Sequence, residues 1–197
     1  MRYLLTALFF LVPAAQAQDD VGLVSLVAGE VTFSAQAAAP AAVKAFMKVR
    51  EGDRFDLPQG TQLELVYFAS SRRERWQGPA SLRVARRESA PLAGKPVQVT
   101  ALPASVPHRL ARIPELAQSA LFGGTRVRGG RPPGVENVET EESLREARAT
   151  YARLRAELPA DDLTPELFLY AALAGGPQPD SEEVKSLAAR LQNRQKR

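Results

Sequence analysis

The residues best suited to chemistry crowd one short stretch: Arg72, Arg73 and Arg75 run up to Trp76, and Arg83, Arg86 and Arg87 follow within a few positions. A guanidinium binds a carboxylate or phosphate through two parallel hydrogen bonds, and an exposed indole stacks on a sugar or aromatic group. If the stretches on either side of Gly78-Pro79 pair as a hairpin, these side chains share one polar face. Arg72, Arg73, Arg75, Trp76, Arg83 and Arg86 then form a ligand or partner surface. The plainer alternative is a solvated arginine face around a core tryptophan, the commoner fate of a single Trp.

The ingredients of catalysis are sparse. Histidine occurs once, at His108 between Pro107 and Arg109, and cysteine is absent, which removes the usual partners of a metal centre and any thiolate nucleophile. There is no G-x-S-x-G elbow, and Gly123-Gly124 and Gly129-Gly130 are flanked by arginine rather than set between a strand and a helix as a phosphate loop would be. Glu51 and Asp53 could pair as acid and base, but they bracket a glycine in a tight turn, which favours a structural role. The acidic run Glu139-Thr140-Glu141-Glu142 reads as a helix N-terminus, where carboxylates complement the helix dipole. No catalytic, cofactor-binding or metal-binding residue is expected.

The elements that position the arginine stretch are strands. From Val21 to Leu102 short apolar segments alternate with Gly, Pro and Asp turns, the spacing of an antiparallel β-sandwich (jelly-roll-like) or barrel. Val31 and Phe33 fall on one face of a strand, Glu30 and Thr32 on the other. Ala35 to Ala42 has no pattern and reads as a loop. Thr61 to Phe68 is apolar on both faces, so it predicts a strand in the middle of a sheet. Residues 103–134 read as one or two helical turns packed on the sandwich, then a Gly/Arg/Pro linker or an edge strand around Thr125–Arg128. Over 138–194 the spacing predicts three helices. Leu144, Ala147, Tyr151, Leu154 and Leu158 form the stripe of the first, capped by Thr140. Thr164-Pro165 starts the second, with a capping hydroxyl and a proline at the first position, and Leu167, Phe168 and Ala171 give its buried side. Val184, Leu187, Ala188 and Leu191 line the third. Ala147, Tyr151 and Pro159 resemble the second helix of a tetratricopeptide repeat, but Arg131-Pro132-Pro133-Gly134 stands where the first helix would be, which favours a plain bundle.

Ahead of the strands, Arg2, the apolar run Leu4–Val12 and the small-x-small triplet Ala15-Gln16-Ala17 follow the grammar of a secretory signal peptide over residues 1–17. The apolar run is short for a membrane span, and no later segment is long and apolar enough for one. The formal net charge of +4 suits loose association with anionic polymers, and export removes nucleic acid as a partner.

The β region resembles the FecR family. The resemblance is carried by Gly29-Glu30-Val31, Val49-Arg50-Glu51-Gly52-Asp53-Arg54-Phe55, Gly60-Thr61-Gln62-Leu63-Glu64-Leu65 and Trp76-Gln77-Gly78-Pro79-Ala80-Ser81-Leu82. It implies an extracytoplasmic β-rich domain of envelope sensing or interaction without a catalytic centre. The founding regulators of that family carry a membrane helix ahead of the domain, where this chain has the signal-like segment. The expectation is therefore a periplasmic binding or scaffolding protein whose partner is an envelope protein or an anionic envelope polymer. The alternatives are an accessory partner of an extracytoplasmic signalling system, or an enzyme acting on envelope glycans, which would need two acids facing each other across a cleft.

Overall fold

The computed structural model describes residues 19–35, 38–116 and 139–195. The expected signal segment and the linker or edge strand around Thr125–Arg128 lie outside them. The expected β-sandwich followed by helices is the observed architecture. Ten strands, β1 (Asp20–Ala28), β2 (Thr32–Ser34), β3 (Ala41–Ala42), β4 (Lys48–Arg50), β5 (Arg54–Leu57), β6 (Gln62–Tyr67), β7 (Arg72–Gln77), β8 (Ala80–Val84), β9 (Ser89–Ala93) and β10 (Gln98–Ala101), precede helices α1 (Ser105–Leu110), α2 (Glu141–Glu157), α3 (Thr164–Ala174) and α4 (Glu182–Gln195). The strands form two antiparallel sheets, ordered β10-β7-β6-β1-β4 and β3-β2-β5-β8-β9.

The middle strand of the first sheet explains the layering. On β6, Leu63, Leu65 and Tyr67 point between the sheets, where they join Val24, Val49, Trp76, Phe55, Leu57, Leu82 and Val84 in one buried cluster. Val66 points the other way and packs with Leu23 of β1 against the helices. A strand alternates its side chains, so a strand apolar on both faces needs cover on both. The helices supply the second cover, and the first sheet becomes the middle of three layers. In β1 the register slips by one between Val24 and Leu26. This bulge places Val24 and Val27 inward and Leu26 outward, with Ser25 as the extra residue.

Two local readings are corrected, and one strand appears where none was expected. Ala41–Ala42, read as loop, pairs with β2 as a two-residue edge strand. Ser89–Ala93 carries no alternation and includes Pro91, yet it forms β9 along β8; an edge position tolerates a residue without an N–H. Helix α3 buries nearly every side, not one stripe, because it lies between its neighbours and the sheet. Its N-terminus is also held differently: the Thr164 N–H donates to the Asp162 carboxylate at 2.8 Å, whereas the Thr164 hydroxyl has no partner. The Thr140 cap of α2 is as expected, its hydroxyl accepting from the Ser143 N–H at 3.1 Å.

One expected pairing does not form. β7 pairs with β6 and β10, while β8 pairs with β5 and β9 in the other sheet. Gly78-Pro79 is therefore a crossing between layers, not a hairpin turn. The crossing squeezes backbone on backbone: a Cβ at Gly78 would stand 1.7 Å from the Pro58 carbonyl oxygen. Gly78→Ala forces that crossing apart and is expected to lower stability by about 1–3 kcal/mol, read as a fall in the urea midpoint; an unchanged midpoint would show that the crossing is not closely packed.

Candidate functional site

The arginine stretch is divided by the alternation of β7. Trp76 and Glu74 point into the sandwich, where both are buried. The Glu74 carboxylate there accepts from Arg72 Nε at 2.6 Å, from Trp76 Nε1 at 3.2 Å and from the Ser89 N–H of β9 at 3.3 Å. Tyr67 Oη and Ser89 Oγ lie 2.7 Å apart beside it. A carboxylate enclosed by strands of both sheets, with four hydrogen bonds, ties the layers together at this end. Burial is the largest influence raising the Tyr67 hydroxyl well above its ordinary pKa, so it stays a neutral hydrogen-bonding group.

Arg73 and Arg75 point the opposite way, under the helices. Arg73 has no exposed side-chain surface and lies between two equally enclosed carboxylates, Glu64 at 3.0 Å and Asp162. Arg75 sits directly across from Glu64 in the β6–β7 register and reaches it at 2.5 Å, with Asp161 at 3.4 Å on its outer side. Asp161 and Asp162 belong to the loop before α3, so this cluster joins the sheet to the helical region. Burial, with the Asp162 carboxylate beside it, pushes the Glu64 carboxyl above its usual range, against the pull of Arg73 and Arg75. A second clamp lies at α1. Arg109 donates to both oxygens of Glu139, at 3.1 and 3.0 Å, and to Ser143 Oγ at 2.9 Å, with its guanidinium 5.1 Å from the centre of the Phe168 ring. Burial raises Glu139, but hydrogen bonds from Arg109 and Ser143 and the charges of Arg109 and Arg112 outweigh it and hold the carboxyl below its usual value.

The expected single arginine face is thus not assembled. Arg73 and Trp76 are interior, Arg75 is nearly so, and Arg83 is exposed on the outer face of the second sheet opposite Arg54. What the structure does assemble is an open side of the sandwich, where the edge strand β10 stands opposite the turn ahead of β9. A cleft of about 340 Å³ there is lined by Ser70, Arg72, Arg87, Glu88 and Val99–Ala101. Arg72 is engaged by Glu74 and, at 3.4 Å, by Glu88. Arg86, Arg87 and Lys95 are exposed, and none of them has a carboxylate partner among the described residues. Leu92, Val97 and Val99 are the large hydrophobic side chains left exposed among the described residues, and all lie on this side. Arg72 and Arg86 of the expected surface belong here. The buried partners Glu64, Glu74 and Asp162 were missed, although an acid in the middle of the apolar β6 segment is itself a signal that a cation must reach it.

Among the described residues, no group of three or more His, Cys, Asp or Glu is placed to hold a metal ion, and no helix is long and apolar enough to cross a membrane. No protein-family model matches the chain, and neither a curated protein nor a solved structure matches it.

Two tests bear on the buried charges. Asp162→Ala leaves Arg73 short of one counter-charge in the interior and should cost about 3–5 kcal/mol in denaturant unfolding; a loss below about 1 kcal/mol would match an exposed pair instead. The acids also differ in the sign of their pH linkage. With its pKa raised, native Glu64 holds a proton more tightly than the unfolded chain, so its contribution to stability falls as pH rises from 4.5 through the raised value. Glu139, with its pKa lowered, contributes above 4.5 and loses that contribution as pH falls through its native value. Stability against pH for Glu64→Gln and Glu139→Gln should therefore depart from the parent curve in opposite directions near that pH; departures of the same sign would contradict the assignment.

Proposed function

We propose that this chain is a non-catalytic binding or scaffolding protein of the bacterial envelope, a FecR-like β-sandwich exported to the periplasm by a cleavable signal segment, with the open β9–β10 side as its partner surface. The observation that carries the reading is the gathering of exposed cations and exposed aliphatic side chains on one side of an otherwise well-covered sandwich. Arg87 lines the cleft with Val99, and Arg86, Lys95, Leu92 and Val97 are exposed on β9 or in the segments next to β9 and β10. Exposed apolar surface rimmed by charge is the composition of an interaction site, and its sign selects an anionic partner.

The arrangement of the carboxylates favours binding over glycan hydrolysis. Glu64 and Asp162 face each other across Arg73, but both are enclosed and held by that guanidinium, leaving no room for a sugar and an attacking water between them. Of the two acids singled out in the sequence, Glu51 is exposed, and Asp53 is buried and accepts from the Arg50 N–H at 2.7 Å, which closes its turn.

Expressed in a bacterium with an outer membrane, the chain should be recovered from the periplasmic fraction beginning at Gln18. Immobilised, it should retain an anionic component of envelope extract, and the Arg86→Glu, Arg87→Glu double variant should retain at least about tenfold less. Cytoplasmic retention of the uncleaved chain would remove the envelope assignment. Equal retention by parent and variant would remove the assigned surface.

A further inference from the structure

The edges of the two sheets are not equivalent, and the difference points to a mode of binding. β3 and β4 are two and three residues long. β4 is also flanked by charge, with Lys48 and Arg50 both paired to Asp20 at 3.3 Å. β9 carries Pro91 at its centre and a bulge beside it. Short length, charge, proline and bulges are the devices that keep a sheet edge from accepting another strand. β10, with the sequence Gln98-Val99-Thr100-Ala101, is only four residues long and follows Lys95-Pro96, but none of its own residues is charged or a proline.

β10 is bonded on one side only, to β7. The Leu102 N–H donates to the Ser71 carbonyl at 2.7 Å, which with the Thr100–Arg73 pairing sets Leu102 and Thr100 toward β7, whereas ahead of the strand the Val97 N–H also turns to β7 and donates to the Arg75 carbonyl at 2.8 Å. In an antiparallel ladder the intervening residues then turn their backbone groups away. The N–H and C=O groups of Val99 and Ala101 therefore face outward. Val99 pairs with Glu74, whose side chain is inside the sandwich, so the Val99 side chain stands on the cleft side of the edge. A strand laid against β10 would hang every second side chain over the cleft. Those side chains would meet Val99, exposed by 45%, and then the guanidinium of Arg87, which has no carboxylate partner among the described residues. The segment from Ala85 to Ala101 carries Arg86, Arg87 and Lys95 against Glu88 alone, and Glu88 is paired with Arg72. The complementary sequence is extended, with apolar and acidic residues alternating on one face.

We propose that β10 receives an extended acidic segment of a partner protein as an additional strand of the first sheet, with acidic side chains reaching Arg87 and apolar ones covering Val99. This rests on the binding reading above and adds what binds and how: main-chain hydrogen bonds supply the attachment, and the cleft supplies the selection.

The test uses the full chain and a fluorescent peptide of about ten residues, the length of a long strand, with threonine alternating against valine and glutamate. Three comparisons accompany it: the same peptide with lysine for glutamate, the same peptide N-methylated at alternate backbone nitrogens, and the Arg87→Glu and Val99→Pro variants. Val99→Pro removes an outward N–H and spares the bonds to β7. Circular dichroism and the thermal midpoint check that both variants fold. The expected result, by anisotropy, is preference for the acidic peptide by at least about tenfold, reversed in Arg87→Glu, with binding lost on N-methylation and in folded Val99→Pro. N-methylated peptide binding as well as its parent would overturn strand addition while leaving the anionic-partner surface standing. No peptide binding, with concentration-dependent dimerisation that Val99→Pro abolishes, would overturn it in favour of a second copy of this chain at the same edge.

Discussion

Everything in this molecule depends on how β7 disposes of its charges. The strand runs Arg72-Arg73-Glu74-Arg75-Trp76 through the body of the protein, and a strand cannot choose which residues face which way. Arg73 and Arg75 are committed to one face and Glu74 to the other, and both faces are covered. Each charge taken out of water costs several kcal/mol unless an opposite charge and hydrogen bonds meet it. Glu64 meets the arginines from the next strand, and Asp162 meets Arg73 from the loop ahead of α3. Glu74 is met by Arg72, the Trp76 indole and the β9 backbone. The cluster contributes less to net stability than to position: with Asp162 elsewhere, Arg73 is left with a fraction of its counter-charge, so the loop and α3 have one seat on the sheet.

That seat divides the protein into a closed part and an open part. Helices cover the outer face of the first sheet through Leu23 and Val66, and the second sheet covers its inner face. The Arg109–Glu139–Ser143 clamp fixes α1 to the start of α2. Near β9 and β10 the cover stops. Exposed valines, and arginines without carboxylate partners among the described residues, sit there at a sheet edge whose last strand contains neither charge nor proline. The same residue type thus serves two ends: arginines enclosed with acids order the scaffold, and arginines left in solvent remain available to something else.

Some of this was legible along the chain. The alternation and turns of residues 21–102 foretold the sandwich, the two-sided apolarity of Leu63–Phe68 foretold a central strand, and the stripes of 138–194 foretold three helices. These are local signals: a period of two or of 3.6 follows from backbone geometry alone, and a hydroxyl such as Thr140 caps the helix it immediately precedes. What failed were readings that needed a partner far away in sequence. β9 has no pattern of its own and is a strand because β8 runs beside it. Ala41–Ala42 is a strand because β2 does.

The chain by itself determined the elements with a period of their own, their rough limits, and that a strand so apolar on both faces must lie inside. Only the tertiary structure decided the fate of each arginine. Whether Gly78-Pro79 turns back within a sheet or crosses to the other depends on the approach of Pro58, some twenty residues earlier, and on which strands are already paired. That choice places β8 in the second sheet and leaves Arg87 beside an open edge, while the β6–β7 register and the loop ahead of α3 bring Glu64 and Asp162 to Arg73. Charge burial is set by neighbours in space, and local sequence carries no record of which carboxylate will arrive.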